Sequence, residues 1–540
     1  MALSTLPALL AERAAAAAET VILRHKDRGI WKPVRWAALA GQVAALAGAL
    51  AADGFVPGGV GAVLSDSRVE WLVADLAIQA AGGASAGLSP LADAALLTGQ
   101  LRAVGASIVF VENEEQLDKL WSARAACPAL RRIVVFDTKG LRGLDDPTVV
   151  ALSAFTAPPA AACVTAPDET AAIVFTEGSG RPVRLSHRRL AATLAAATAR
   201  FAPRAGDTRL AMLPPSFTAE RVVGLYLSLA CGIVTHFGES ADTLEANLRE
   251  VQPTVLLAVP AQWKRFHDRI DRAAAAATLP QRAVLHTALR LARGGAGLAA
   301  SPVLTPLRRT LGLERLRLAL VAGGALAPEL AGWYRALGID PIEIYGTAEC
   351  AGFAATPGRA GPTAVPVRIT AAGEIALELG DFLPTGDAGT LTEGVLTVAG
   401  RLADAIPLPD GALLHPGPIE RALGLSPRIL GAVVGPGPDG GLHALLWLDA
   451  EAVEAWAHAR RLMFANYAAL TRLPELIALL QTEIDRVNAG AARAHPIRAF
   501  RVLERRLAMG DPELTQLGAL RRGAVAAPEP REPATTEETP

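Results

Sequence analysis

The sequence predicts an α/β fold with a large N-terminal domain of parallel α/β layers and a small α+β C-terminal domain. Short apolar segments alternate with helical stretches over residues 56–136, and the same alternation returns over residues 254–345. Such alternation is typical of doubly wound layers with a mainly parallel sheet. From about Gly373 the pattern changes to short strands separated by glycine and proline turns, which indicates a region built differently.

The individual elements follow from apolar runs of strand length and from longer stretches of helical character. Strands are predicted at residues 59–64, 106–111, 132–136, 171–175, 254–259, 317–321, 341–345, 374–379 and 395–399. Helices are predicted at residues 70–81, 91–104, 451–465 and 473–488, and another is expected directly after residue 187. The alanine-rich residues 37–52 are interrupted by Gln42, and they predict a packed helix rather than a membrane span.

The change in pattern places a domain boundary at residues 400–404. Residues 1–399 are the predicted N-terminal domain, and residues 400–522 are the predicted C-terminal domain. Residues 523–540 are rich in proline, glutamate and threonine. Because such a composition cannot bury a core, we expect this segment to be a disordered tail.

Composition excludes several classes of function. The chain has 52 basic and 53 acidic side chains, so its net charge of -1 gives no general attraction to nucleic acid or to an anionic membrane. The four cysteines are scattered without the paired spacing of a metal site, which favours reduced thiols and a cytoplasmic location. We recognise no signal peptide and no transmembrane segment in the sequence.

A glycine- and serine-rich segment, residues 175–187, stands at the centre of the predicted N-terminal domain. An apolar strand precedes it and a helical stretch follows it. Backbone N–H groups in such a strand–turn–helix arrangement bind phosphate, which makes Thr176, Gly178, Ser179 and Gly180 candidate ligands. Taken alone the signal is weak, because most small-residue turns between a strand and a helix hold no ligand.

The same segment resembles the phosphate loop of adenylate-forming enzymes, Thr-Ser-Gly-Ser/Thr-Thr-Gly-x-Pro-Lys-Gly-Val-x-x-Ser-His. Further matches cover nearly the whole chain and are most similar to the long-chain fatty acyl-CoA synthetase branch. They lie at residues 66–71, 111–120, 238–254, 259–263, 316–328, 342–349, 385–387, 400–404 and 513–522. The resemblance implies an acyl-CoA synthetase-like fold with a mobile C-terminal domain and a hinge near Asp404.

The resemblance also implies a role for individual residues. Nucleotide binding is expected of the phosphate-loop residues together with Gly323, Gly324, Ala325, Tyr345, Gly346, Thr347, Asp387 and Arg401. Within this set Asp387 corresponds to the aspartate that binds ribose, and Arg401 to the arginine that steadies ribose and phosphate. Glu349 corresponds to the glutamate that ligates Mg²⁺. The expected substrates and cofactors are a fatty acid or acyl-AMP, ATP or AMP, Mg²⁺ and CoA.

Several positions depart from the pattern of the family. The phosphate loop is about three residues short by the alignment of its flanks, lacks the Lys-Gly pair, and has Glu177 in a serine position. Ala348 replaces a threonine that contacts the α-phosphate, and Phe217 replaces a histidine near the acyl pocket. Ala519 occupies the position of the catalytic lysine, with Gln516 in place of a proline. The arginines at 521 and 522 are expected to point away from the site.

These departures leave two functions open. One is an AMP-forming long-chain fatty acid–CoA ligase whose adenylation step is weak or lost. The other is a catalytically inactive protein that binds a nucleotide or an acyl group and acts in regulation or as a scaffold. A peptide-synthetase adenylation module is less favoured, because no carrier domain follows Arg522 in this sequence.

Overall fold

The computed structural model describes residues 5–141, 145–177, 180–295, 297–408 and 411–525. Within these residues two seven-stranded sheets make up most of the protein, and smaller sheets of four, two and three strands follow along the chain. The large sheets are mainly parallel and carry helices between their strands. The predicted α/β architecture, with a small α+β region towards the C-terminal end, is confirmed.

The first large sheet belongs to the N-terminal part of the chain. The elements here are α1 (Leu6–Ala17), β1 (Val21–Asp27), β2 (Ile30–Arg35), α2 (Trp36–Ala52), β3 (Val60–Leu64), α3 (Val69–Ala80), β4 (Ala84–Leu88), α4 (Ala94–Val104), β5 (Ile108–Val111), α5 (Glu114–Arg124), β6 (Arg132–Val135), β7 (Val149–Ala151), β8 (Thr170–Phe175), β9 (Pro182–Ser186) and α6 (His187–Phe201). The strand order is β7-β6-β5-β3-β4-β8-β9, and only the β8–β9 pair is antiparallel among these strands.

The second large sheet combines β1 and β2 with strands from the next part of the chain. These elements are β10 (Thr208–Leu210), a π-helix (Glu220–Tyr226), α7 (Leu227–Cys231), β11 (Val234–Phe237), a short 3₁₀ turn (Ala241–Thr243), α8 (Leu244–Val251), β12 (Val255–Ala258), α9 (Pro260–Ala276), α10 (Leu279–Arg293), α11 (Gly297–Leu311), β13 (Leu318–Val321), α12 (Pro328–Ala336) and β14 (Pro341–Glu343). The strand order is β14-β13-β12-β10-β11-β1-β2.

Smaller sheets complete the described chain. They contain β15 (Val367–Ile369), β16 (Glu374–Glu378), β17 (Phe382–Thr392), β18 (Val395–Arg401), β19 (Ile406–Pro407), β20 (Leu413–Leu414), β21 (Ile429–Pro436), β22 (Leu442–Leu448) and β23 (Ile497–Val502). The accompanying helices are a 3₁₀ turn (Leu402–Asp404), α13 (Gly417–Leu423), α14 (Ala450–Ala459), α15 (Tyr467–Leu470) and α16 (Pro474–Ala489). Strands β21, β22 and β23 pack with α13, α14 and α16 around a separate apolar core.

The largest core lies between the two large sheets. It combines Val63 of β3 and Trp71 of α3 with Leu257 of β12, and each of these side chains is at most 1% exposed. Strand β3 is buried at every residue, which explains why its sequence is a continuous apolar run rather than an alternating one. None of the helices in the described ranges combines the length and apolar character needed to cross a bilayer.

Charged groups are also buried between the sheets. Arg221 of the π-helix donates to Asp75 of α3 at 2.5 Å, and the Tyr226 hydroxyl donates to the same carboxylate at 2.8 Å. Arg209 and Glu220 form a second buried pair at 2.6 Å. Because a buried charge is tolerated only when it is paired, these contacts fix the packing of the π-helix against α3 and β10.

The phosphate-loop segment forms a hairpin rather than the predicted strand–turn–helix. Strand β8 turns into the antiparallel strand β9, and α6 begins only after β9, at His187. In β9, buried Val183 and Leu185 alternate with exposed Arg184, and this period of two is typical of a strand. The prediction missed the strand because the segment between the turn and the helix is only five residues long.

We expect Ser186→Ala to lower the free energy of unfolding by about 1 kcal/mol, because the Ser186 hydroxyl caps α6. That oxygen accepts the backbone N–H of Arg189 at 3.2 Å. Urea denaturation followed by circular dichroism measures the change in midpoint. Ser186→Asp, which can still accept this bond, is the control and is expected to stay near wild type; equal loss in both variants would contradict the capping role.

Candidate functional site

A cleft of about 820 Å³ opens where the carboxyl ends of β8, β13 and β14 face the β17–β18 hairpin and the C-terminal segment around Leu517. Ligands in open α/β sheets bind outside the carboxyl ends of the strands, so the topology itself points to this cleft. The cleft lining includes 11 of the residues predicted from the sequence: Thr176, Gly180, Gly323, Gly324, Ala325, Tyr345, Gly346, Thr347, Glu349, Asp387 and Arg401. Gly178 and Ser179 fall outside the described residues, and Asp404 and Ala519 are not part of the lining.

One wall of the cleft is organised by Asp387. Its carboxylate accepts the Tyr345 hydroxyl at 2.9 Å and lies 3.2 Å from Nε of Arg401. Asp387 and Arg401 are directly opposite each other in the antiparallel pair β17–β18, so the strand register brings them together. The Arg401 guanidinium also donates to the carbonyl of Thr385 at 3.2 Å. These contacts hold an acceptor in a fixed position on the cleft wall.

The Asp387 side chain is 12% exposed, and burial raises its pKa above the ordinary value of 3.8. The Arg401 guanidinium and the Tyr345 hydroxyl oppose this shift because both stabilise the ionised carboxylate. Burial also raises the pKa of Tyr345, so its hydroxyl remains a donor at neutral pH. The pair therefore presents a carboxylate with acceptor capacity left over, which suits a ligand that carries hydroxyl groups.

The glycine turn after β13 forms the floor of the cleft. Gly323 has a φ of +80°, which glycine adopts without strain. A Cβ atom at this position would lie 3.0 Å from the Leu517 side chain and 3.6 Å from the Phe217 ring. The Gly323 turn is thus the place where Phe217 meets the segment around Ala519, and both depart from the family pattern. The result is an apolar surface directly beside the turn.

The loop after β14 approaches its own returning chain closely. A Cβ atom at Gly346 would lie within 2.6–2.7 Å of backbone atoms of Gly352 and Phe353, so only glycine fits. The Tyr345 N–H donates to the carbonyl of Ala355 at 2.9 Å, and the Cys350 thiol accepts the N–H of Thr347 at 3.1 Å. Backbone contacts and the Cys350 thiol therefore fix the shape of the loop that carries Tyr345 and Glu349.

The turn between β8 and β9 is closed by Thr176 and Arg181. The Thr176 hydroxyl accepts the N–H of Arg181 at 3.0 Å, and the N–H of Thr176 donates to the carbonyl of Arg181 at 3.0 Å. The Arg181 guanidinium then reaches across the cleft and forms an ion pair with Glu349. Glu349 is the residue that the sequence assigned to Mg²⁺, and an arginine of the shortened loop is in contact with it.

The C-terminal segment enters the cleft with Gln516, Leu517 and Arg521. A tight turn shapes it: the Thr515 N–H donates to the carbonyl of Ala519 at 2.7 Å, and the Thr515 hydroxyl accepts the N–H of Ala519 at 3.1 Å. Ala519 itself is exposed, so the tip of the turn, not the predicted lysine position, faces the cleft. Arg521, which was expected to point away from the site, is among the residues that line the cleft.

Arg522 follows the prediction and lies outside the cleft. Its guanidinium pairs with Glu420 of α13, donates to the carbonyl of Val434 at 2.6 Å, and lies 3.4 Å from the Asp404 carboxylate. Asp404, the predicted hinge residue, therefore contacts the C-terminal segment rather than the cleft. These contacts tie the segment that carries Leu517 to the region after β18.

Comparison with known proteins bears directly on this cleft. Residues 10–394 match the family described as AMP-binding enzyme. The chain belongs to the AMP-binding enzyme family. It is also similar to the long-chain-fatty-acid–CoA ligase FadD15 of Mycobacterium bovis, with 26% identity over 94% of this chain and 92% of that protein. The predicted resemblance to adenylate-forming enzymes, and to their long-chain fatty acyl-CoA synthetases, is confirmed.

Solved structures of this family share the fold. The adenylation domain of a carboxylate reductase from Mycobacterium chelonae superposes with a TM-score of 0.78 at 18% identity, over 96% of this chain and 89% of that one. The anthranilate CoA ligase AuaEII, solved in complex with anthranoyl-AMP, gives a TM-score of 0.70 at 17% identity over 94% of both chains. At these identities the likeness shows the fold alone, and it confirms the predicted acyl-CoA synthetase-like architecture.

The Mg²⁺ implied by the resemblance would need oxygen donors in the cleft that are available to bind it. Mg²⁺ takes oxygen ligands at about 2.0–2.1 Å and is usually held by one or two carboxylates together with substrate phosphates. The carboxylate at Glu349 is engaged by the Arg181 guanidinium. Across the described ranges no cluster of three or more histidine, cysteine, aspartate or glutamate residues could hold a metal ion. The arrangement does not fit an ion held at Glu349.

The sequence motifs assign no role to three residues that contribute to the charge or shape of the cleft. Arg181 follows the glycine of the shortened loop directly, and this position was the only signal that it could act at the phosphate end. Arg421 of α13 lines the cleft as well, and burial lowers its pKa, but no motif marks it. Leu517 is placed by the turn at Thr515, which depends on hydrogen bonds that the sequence does not display.

Proposed function

We propose that this protein is a long-chain fatty acid–CoA ligase homologue that binds AMP and acyl-AMP well but forms acyl-AMP slowly. The observation that carries the proposal is a difference between the two ends of the cleft. The wall formed by Tyr345, Asp387 and Arg401 is assembled by direct contacts. At the opposite end, Arg181 engages Glu349, Leu517 lies beside the Gly323 turn, and position 519 holds an alanine in place of the lysine of the family pattern.

The two half-reactions make different demands on these residues. In the first, a carboxylate oxygen bonds to the α-phosphorus of ATP, the bond to the β-phosphate oxygen breaks, and pyrophosphate leaves. In the second, the CoA sulfur bonds to the acyl carbon, the bond to the phosphate oxygen of AMP breaks, AMP leaves, and the thiol proton passes to solvent. Negative charge develops on the phosphate chain mainly in the first, where a preorganised cation contributes most.

Individual residues have distinct roles in this proposal. Asp387 accepts hydrogen bonds from the ribose hydroxyls, and Tyr345 and Arg401 hold its carboxylate in position. The backbone at Gly323, Gly324 and Gly346 leaves room for the flat adenine base. Ala348 and Ala519 provide no donor for the phosphates, so acyl-AMP formation lacks the charge stabilisation that the thioester step does not need. Residues 400–522 act as the mobile domain, with the hinge at Asp404.

The second candidate is a binding protein without turnover, as the sequence already allowed. One observation favours it: Leu517 packs on the Gly323 turn, beside the Phe217 ring. An apolar side chain there adds contact area but no charge. In this case the acyl or nucleotide ligand would regulate the protein or assemble it with a partner.

AMP is expected to stabilise the protein at least as well as Mg·ATP, because Arg181 already engages the Glu349 carboxylate and the phosphate end lacks the lysines of the family pattern. A ligand at about 100 times its Kd adds about 2.7 kcal/mol to the stability of the folded state, an effect that thermal unfolding resolves. Calorimetric titration with AMP and with Mg·ATP gives the two affinities. If ATP bound about tenfold tighter than AMP, a difference of about 1.4 kcal/mol, the phosphate end would be functional and the proposal would be wrong.

A further inference from the structure

The contact between Arg181 and Glu349 joins two separate cleft elements. Arg181 belongs to the β8–β9 turn, and its backbone is fixed on both sides of the turn by Thr176. Glu349 belongs to the loop after β14, which is fixed through Tyr345 and Cys350. The Arg181 side chain is 60% exposed and the Glu349 side chain 19% exposed, so the guanidinium enters the cleft from the solvent side. A positive charge is thereby placed where Arg181 of the β8–β9 turn meets the loop after β14.

This positive charge occupies the place where the family pattern expects Mg²⁺. A metal ion bound to the same Glu349 oxygen as the guanidinium would have to displace the guanidinium, because the two cations repel each other. Arginine has a planar fork of donors that matches both carboxylate and phosphate oxygens, and it stays protonated at all relevant pH values. Its positive charge therefore stays beside Glu349, within the cleft.

We infer that Arg181 is a built-in cation that replaces Mg²⁺ at Glu349, so that nucleotide binding by this protein does not require the metal. The inference rests on the proposed nucleotide site and specifies which cation serves it. Three further arginines, Arg401, Arg421 and Arg521, line the same cleft and add positive charge for the phosphates.

The test is calorimetric titration of the full chain with ATP, once in excess Mg²⁺ and once in EDTA. For wild type we expect the two affinities to agree within about threefold. For Arg181→Ala we expect ATP binding in EDTA to weaken about tenfold, as loss of one charge-assisted contact predicts, and added Mg²⁺ to restore it through the freed Glu349 carboxylate. The double variant Arg181→Ala/Glu349→Gln should lose this restoration. Arg181→Lys keeps the charge but not the planar fork of donors, so it should retain the independence from Mg²⁺ while binding ATP more weakly than wild type does.

A matched control is Arg184→Ala, which removes the same charge three residues along the chain on β9. Arg184 is exposed and does not line the cleft, so its loss should leave both affinities unchanged. The inference would be wrong if Mg²⁺ raised the affinity of wild type for ATP about tenfold or more. It would also be wrong if Arg181→Ala and Arg184→Ala weakened ATP binding equally.

AMP in EDTA separates this inference from the proposed function. If wild type binds AMP but requires Mg²⁺ for ATP, the nucleotide site stands and only the role of Arg181 is wrong. If wild type binds neither nucleotide under any condition, the proposed function fails, and the inference fails with it.

Discussion

Purified protein supplied with a pre-formed long-chain acyl-AMP and CoA should make acyl-CoA at least about 100-fold faster than from the fatty acid, Mg·ATP and CoA. A preorganised charge donor is worth about 10²- to 10³-fold in rate, and under the proposed function the adenylation step has no lysine donor, because position 519 is alanine. The thioester step starts from an activated acyl group and needs no such donor. Chromatographic measurement of acyl-CoA by both routes, with the same enzyme preparation, gives the ratio.

Acyl-AMP is itself reactive, so the rate without protein must be subtracted, and a variant that cannot bind AMP serves as the second blank. Equal rates by the two routes would identify an ordinary ligase and contradict the division between half-reactions. If neither route gave acyl-CoA above the blanks while calorimetry still showed AMP binding, only the binding function would remain. These outcomes are distinct because binding and turnover are measured separately.

The residues that the sequence assigned to nucleotide binding lie together in one cleft, and most of them belong to short local motifs. Tyr345 and Gly346 are adjacent in one short loop, and Asp387 follows a single Thr-Gly pair. Eleven predicted residues line this one cleft. The ion pair between Asp387 and Arg401 was not predictable from spacing, because it depends on the register of β17 against β18.

The phosphate end was predicted less well because its geometry is set by contacts between distant segments. The alignment marked position 519 as the lysine site, yet the turn closed by Thr515 brings Leu517 into the cleft and leaves Ala519 exposed. Likewise Glu349 was assigned to a metal from its motif alone. Its contact with Arg181 spans 168 positions of the chain, and no local pattern encodes such a contact.

The roles proposed for the domains rest on these same contacts. Arg522 pairs with Glu420 inside the proposed C-terminal domain and lies near Asp404 at its proposed hinge, so the segment that carries Leu517 would move together with that domain. Partly exposed pairs of this kind contribute only about 0–1 kcal/mol each. The contact with Asp404 could therefore break and re-form if the domain rotates about that residue.

We expect Asp387→Ala to weaken AMP binding about 100-fold. Hydrogen bonds to a charged group contribute about 1.5–3 kcal/mol, so losing the carboxylate that accepts the ribose hydroxyls costs about 2.7 kcal/mol of binding. Calorimetry with AMP measures the effect. Asp381→Ala is the matched control, because Asp381 is an exposed carboxylate at the turn before β17 and does not line the cleft.

A ligand without ribose hydroxyls shows whether the loss arises at the ribose. The 2′,3′-dideoxy analogue of AMP should bind wild type about 100-fold more weakly than AMP does, and should bind Asp387→Ala as well as AMP does, because the contact is already absent. If Asp387→Ala still preferred AMP to the dideoxy analogue by the wild-type factor, the hydroxyls would have another acceptor. The contacts of Asp387 with Tyr345 and Arg401 would then serve only to hold β17 and β18 against the loop after β14.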